Sequence, residues 1–102
     1  MARRAAKADA NQPDIVQTFR DLGATVQHLH TVGMGCPDII VGFRGVNYLV
    51  EIKDGSKPPS GQKLTPPEQY FFDHWNGQVC IVNSPDAAAN LLNHVVIKGV
   101  IS

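Results

Sequence analysis

An excess of charge of either sign, paired cysteines and long apolar runs are all missing from this 102-residue chain. Nine Lys and Arg balance nine Asp and Glu, so the formal charge at pH 7 is zero and the basic composition of a general nucleic-acid binder is absent. Any contact with a nucleic acid must therefore rest on a site and not on overall charge. No apolar run approaches the ~20 residues needed to cross a bilayer, which excludes a membrane-spanning helix. Two cysteines, Cys36 and Cys80, lie far apart with no C-x-x-C spacing, too few for a secreted disulfide scaffold. Met1 to Ala10 (MARRAAKADA) has no apolar segment of the kind that directs export. The expectation is a protein of the reducing cytoplasm with two free thiols, Cys80 being a small core residue within Val79-Cys80-Ile81-Val82.

What is present fits one globular domain. The chain is 43% apolar and 18% charged, a folded and not a disordered composition. A second domain would leave each half under ~50 residues. Residues 1–10 carry Arg3, Arg4 and Lys7 against Asp9 without apolar periodicity. They read as a flexible basic arm, either a solvated terminus or a phosphate contact, ahead of a single domain over 11–102. Asn11, Pro13 and Asp14 resemble a helix start, and Ile15, Val16, Phe19 and Leu22 recur at helical spacing up to Gly23, so a helix spans about 12–22. Strands follow at about 24–29, 38–41 and 46–53, the last two joined by the tight turn Gly42-Phe43-Arg44-Gly45. The Gly-, Pro- and Ser-rich stretch Asp54 to Lys63 is a loop. Thr65-Pro66-Pro67-Glu68 then forms a capping box opening a helix over about 66–75, with Phe71, Phe72 and Trp75 buried. Gln78 to Asn83 is a fourth strand, parallel to the third because a helix intervenes. A short helix over 86–93 and an edge strand over 94–97 complete the order αβββαβαβ.

The informative residues are Pro37-Asp38 and Glu51-Ile52-Lys53. With the hairpin turn centred between Arg44 and Gly45, Asp38 faces Glu51 across the strand pair, their Cβ atoms ~4.5–5.5 Å apart. Lys53, two residues further on, points to the same face as Glu51. Opposed carboxylates repel, and Ile39, Ile40, Leu49 and Val50 make their surroundings apolar. Lys53 supplies one compensating charge; a divalent oxygen-liking cation such as Mg²⁺ uses such a pair better, keeping its other positions for water and phosphate. The alternative is a surface ion pair, which Tyr48-Leu49-Val50 immediately before Glu51 disfavours.

These residues carry a family resemblance. Gly33-Met34-Gly35-Cys36-Pro37-Asp38, Glu51-Ile52-Lys53-Asp54-Gly55, Leu64-Thr65-Pro66-Pro67-Glu68-Gln69 and Gly77-Gln78-Val79 resemble the PD-(D/E)XK nuclease superfamily. Within it the chain is similar to the small stand-alone virus-type replication-repair nucleases of phages and prophages, the VRR-NUC domain, over about residues 9–88. The resemblance implies an α/β, restriction-endonuclease-like core with a mixed sheet flanked by helices. It implies a Mg²⁺- or Mn²⁺-dependent DNA endonuclease in the cytoplasm of a host cell, acting on branched, flap or four-way-junction DNA, and a homodimer. Asp38, Glu51 and the Ile52 carbonyl would be metal ligands, Lys53 the catalytic lysine, and Gln69 the helix glutamine lining the site. The family often places a glutamate on its first helix at the metal; here no Glu precedes Glu51. Asn11, Asp14 or Gln17 is left for that place, Asn11 serving equally as a helix cap. A non-cleaving DNA-structure-binding protein on the same fold is the alternative reading.

Other candidates are weaker. His28 and His30 with Cys36 and His74 match no tetrahedral zinc spacing and read as surface histidines or DNA contacts. Gly33-Met34-Gly35 lacks the lysine and helix of a phosphate loop and reads as a turn into the second strand or a close approach to phosphate. No His is placed in sequence to activate Cys36. Lys57, Lys63, Arg44 and Arg20, with Arg3 and Arg4, are candidate contacts to DNA phosphates. So few basic residues cannot cover both arms of a junction, which suits a symmetric dimer.

Overall fold

The computed structural model describes residues 9–94 and 97–102. Its elements are α1 (Gln12–Asp21), β1 (Thr25–His28), β2 (Ile39–Phe43), β3 (Val46–Ile52), α2 (Pro66–His74), β4 (Val79–Val82), α3 (Pro85–Asn93) and β5 (Lys98–Ile101), with a 3₁₀ turn at Pro59–Gln62 in the loop after β3. This is the order read from the sequence. The five strands form one mixed sheet in the order β1-β2-β3-β4-β5. The first three run antiparallel, while β4 is parallel to β3 and β5 parallel to β4. The chain is thus an α/β fold with a mixed sheet flanked by helices.

Side chains alternate across each strand, so the sheet has two distinct faces. On one, Ile39, Val41, Val50, Ile52, Cys80 and Val82 meet Ile15, Val16 and Phe19 of α1 and Ala87, Ala88, Leu91 and Leu92 of α3 in a single cluster. The other face carries Leu49, Glu51, Val79 and Ile81 and is approached by α2. The β2–β3 register pairs Phe43 with Val46 and Ile39 with Val50. Arg44 at φ 52° and Gly45 at φ 79° make the two-residue connection with both central residues left-handed, the hairpin turn whose twist matches the strands.

Three expectations are corrected. Helix α2 carries no fully buried residue: Phe71 and Phe72 are half-buried and Trp75, expected inside, is 43% exposed. Among the described residues α2 is the one α-helix on its face of the sheet, so no second helix covers its outer flank. The last strand is Lys98–Ile101, not 94–97. A strand parallel to β4 must begin again at the start of β4, where the Val79 amide bonds the Ile97 carbonyl at 3.0 Å and Lys98 pairs with Val79. Of the expected span, 95 and 96 lie outside the described residues. Finally, Asn11 holds the N-cap position of α1, yet its side chain makes no cap bond. Its amide donates instead to the Lys53 carbonyl at 3.0 Å and the Asn83 carbonyl at 3.1 Å, tying the start of α1 to the ends of β3 and β4.

Candidate active site

Asp38 stands one residue before β2, so the observed register carries on to set it beside Glu51. Its backbone carbonyl accepts from the Leu29 amide, which keeps the residue in line with the sheet. Its carboxylate accepts from the Ile52 amide at 2.7 Å. Glu51 is 5% exposed, one of two buried polar or charged residues among the described residues. On the same face Lys53 places its ammonium 3.4 Å from Glu51 Oε2 and 2.9 Å from Glu68 Oε1.

Glu68 arrives from the first turn of α2. Thr65 and Glu68 form the expected capping box: Thr65 Oγ1 accepts from the Glu68 amide at 3.4 Å, and Glu68 Oε1 accepts from the Thr65 amide at 2.8 Å. The same Oε1 accepts from Lys53. The approach depends on Gly35. With φ at +77°, it lies so close to Pro67 and Glu68 that a Cβ there would overlap the Pro67 carbonyl.

Electrostatics follows from burial. Desolvation, with the charges of Asp38 and Glu68 added, pushes the Glu51 carboxyl up to about 9, Lys53 opposing. Desolvation also raises Asp38, against the Ile52 amide bond that favours its ionised form. Burial alone would raise Glu68 and lower Lys53, but hydrogen bonds and charge reverse both: Glu68 is lowered by its bonds to Lys53, the Thr65 amide and Glu51, and Lys53 is raised by Glu68 and Glu51. Desolvation, with the nearby Glu51 and Asp38 charges, raises the Cys36 thiol above its ordinary value, which disfavours the thiolate. Burial alone pushes the Cys80 thiol to about 11.

The fold therefore brings Asp38, Glu51 and Lys53 together. It does not bring Gln69, which is exposed and donates to Asp73 Oδ1 at 2.8 Å. The box places Glu68 at the third helical position, facing the sheet, and the next residue turns away by a helical step of ~100°. Asp14 and Gln17 are exposed on α1, Gln17 donating to Asp21. Asn11 lies at the site's margin through its bond to Lys53, and its buried Oδ1 has no partner. Arg44 sits at the opposite end of the hairpin, its guanidinium 4.8 Å over the Phe43 ring. Arg20 is exposed in the last turn of α1. Lys57 lies 3.9 Å from Asp9, and Lys63 is exposed beyond the 3₁₀ turn. Arg3 and Arg4 lie outside the described residues.

The zinc grouping is not formed. The His28 and His30 rings stand 6.0 Å apart, edge to face, and His74 bonds the Tyr70 carbonyl. Among the described residues no three His, Cys, Asp or Glu side chains converge as a metal-binding group. One residue of the site, Glu68, and one buried polar residue of α1, Gln12, were missed from sequence. Glu68 looked fully accounted for as a capping residue. Gln12 is 5% exposed, its amide 3.4 Å from His28 Nδ1 and its Oε1 buried without a partner. A first-turn glutamine beside proline gives no signal of burial.

Among solved structures the chain is similar to a VRR_NUC domain, with a TM-score of 0.55 and 31% identity, over 81% of this chain and 90% of that one. No family model matches the sequence, nor does any curated protein. With that identity across nearly all of the solved domain, the chain belongs to the VRR-NUC domain family.

Proposed function

We propose that this chain is a Mg²⁺- or Mn²⁺-dependent endonuclease that hydrolyses DNA phosphodiester bonds, preferring branched, flap or four-way-junction DNA. The observation that carries the reading is the buried Asp38–Glu51 pair with Lys53 beside it. The donor set fits a divalent cation. Two adjacent carboxylates, both raised by burial, gain from a double positive charge, and one or two carboxylates are what Mg²⁺ commonly takes. Asp38, Glu51 and the Ile52 carbonyl would hold it. The partnerless Oδ1 of Asn11 is a further oxygen at the margin, whereas Asp14 is exposed on the helix. A cation bound there supplies charge that polarises a phosphoryl oxygen and lowers the pKa of water. Lys53 stabilises negative charge developing on the phosphate, and Asp38 is oriented by the Ile52 amide. Lys57 and Lys63, on the loop that leaves the site, serve as phosphate contacts.

A second copy of the chain is the expected partner. Val32, Met34, Tyr70 and Trp75 are exposed together beside the site, at 61%, 93%, 67% and 43%. They border two adjoining grooves of about 400 and 620 Å³ whose linings include no Asp, Glu, Lys or Arg. Apolar and aromatic surface depleted of charge suits the core of a symmetric interface, where each residue meets a copy of its own surroundings. A mass measurement in solution reads this directly.

Cleavage is tested on linear duplex, flap and four-way-junction DNA with Mn²⁺, with Mg²⁺ and with EDTA. Metal-dependent nicking is expected, strongest on the branched substrates. Asp38→Ala, Glu51→Ala and Lys53→Ala each lower it by about 10²–10³-fold or more while the fold is retained. Near-wild-type cleavage by any of the three overturns the assignment. Binding of junctions without nicking under every metal condition would instead identify a DNA-structure-binding protein on this fold.

A further inference from the structure

We infer that Glu68 is a positioning residue for Lys53: its carboxylate, locked to the start of α2, holds the ammonium beside Glu51 and keeps it from settling between Asp38 and Glu51. The inference rests on the endonuclease reading and concerns Glu68, the neighbour of the helix glutamine Gln69 that the resemblance places at the site. A lysine side chain has many rotamers, and ordering it needs an anchor that is itself ordered. Lys53 has two. Glu68 is the closer, 2.9 Å against 3.4 Å for Glu51. It is also the one whose position is fixed from a second direction, because the Thr65 amide bonds the same oxygen at 2.8 Å. The contact of Gly35 with Pro67 and Glu68 presses that first turn of α2 against the lead-in to β2, so the anchor is referenced to the strand that carries Asp38.

Glu68 Oε1 accepts from both the Lys53 ammonium and the Thr65 amide. Without the Glu68 charge, the nearest acids left to Lys53 are Glu51 and Asp38. The ammonium would then sit as their counter-ion, in the space a divalent cation needs.

The capping box supplies the experiment, because glutamine can serve in it as well as glutamate. Glu68→Gln keeps an acceptor for the Thr65 amide but removes the charge that holds Lys53. Thr65→Ala does the reverse, deleting the Thr65 hydroxyl bond and leaving the Glu68 carboxylate and the Thr65 amide in place. Glu68→Gln is expected to lower kcat on the best DNA substrate by about 10–100-fold, with KM for DNA changed far less and the thermal midpoint unchanged. Thr65→Ala is expected to lower the midpoint by about 4–8 °C and leave kcat unchanged. The Lys53 ammonium is followed in parallel by ¹⁵N NMR. Its proton-coupled signal should be slow to exchange in the wild type and in Thr65→Ala, and lost to fast exchange in Glu68→Gln. Unchanged kcat and an unchanged Lys53 signal in Glu68→Gln would overturn the inference. So would equal losses of kcat in the two variants, which would make Glu68 a helix cap and nothing more. A wild type that cleaves no DNA under any metal condition overturns the endonuclease reading, while the NMR signal still decides whether Glu68 orders Lys53.

Discussion

The two faces of the sheet differ in nearly every physical respect although the same strands build both. Toward α1 and α3, Ile39, Val41, Val50 and Ile52 join a continuous apolar cluster in which Ile15, Phe19 and Leu91 are fully buried. Toward α2, the neighbouring residues of β3 are Leu49 and Glu51, and the covering helix has no fully buried residue of its own. One face is filled by side chains whose only requirement is shape. The other is assembled around a buried acid whose surroundings push it toward neutrality. Stability and chemistry are thus offset by a single residue along β3: Val50 and Ile52 hold the fold, and Glu51 between them carries the proposed site. A catalytic side chain placed this way inherits the rigidity of the core without belonging to it.

The largest expected contrast comes from removing one key residue from each face. Phe19→Ala should destabilise the protein by about 3–5 kcal/mol in urea unfolding, a large part of the stability of a domain this size. Glu51→Gln should unfold at the same or higher denaturant concentration in the absence of metal, because it deletes a buried acid that repels Asp38 and Glu68. A loss of stability in Glu51→Gln comparable with that of Phe19→Ala would mean that the α2 face is structural as well.

An intermediate effect is expected at two glycines, both in the left-handed region. Gly35→Ala drives a methyl group into the Pro67 backbone and must shift the start of α2. It should cost about 1–3 kcal/mol and lower cleavage together with stability. Gly45→Ala, at the far end of the hairpin, has the same sign of φ but open space around it. It should cost about 1–2 kcal/mol through backbone strain alone and leave cleavage unchanged. Equal effects on cleavage would show that the approach of Gly35 to α2 does not matter to the site.

The buried acids also set how stability depends on pH. A carboxyl whose pKa is raised on folding contributes stability below its ordinary value, and that contribution is lost as pH rises toward the folded one. For Glu51 the window runs from 4.5 to about 9, and Asp38 acts in the same direction. Glu68 is lowered, so its contribution is intact above its ordinary value and is lost only on acidification. In EDTA the thermal midpoint should therefore fall from about pH 5 to pH 9, and Glu51→Gln should flatten the slope. A wild-type midpoint that rises over that interval would contradict the burial of Glu51 as an acid.

Much of this was legible in the chain itself. The two-residue turn at Arg44-Gly45 sets the register of β2 and β3, and with it the juxtaposition of Asp38 and Glu51, because a hairpin allows no slip without turning every side chain to the wrong face. The capping box at Thr65 was readable for a similar reason: a local pattern with a local partner. What resisted reading were residues with two partners at once. Glu68 satisfies its local role and a distant one with the same oxygen, and nothing in Thr65-Pro66-Pro67-Glu68 announces the second. Asn11 reads as a cap and instead bonds the carbonyls of Lys53 and Asn83, which are remote in sequence. Trp75 reads as core from its apolarity, but whether an aromatic is covered depends on what lies on its far side.

The order of helices and strands, the hairpin register and the pairing of two acids with a lysine were determined by the sequence alone, since each depends on periodicity, turn chemistry and counting along the chain. Which residue anchors the lysine, how deeply the acids are buried and which face of the sheet is left thinly covered were decided only by the tertiary structure. Those properties depend on how closely α2 and the start of α1 approach the ends of β2 and β3. That distance is set by contacts such as Gly35 with Pro67, whose members belong to segments that meet only when the sheet is complete.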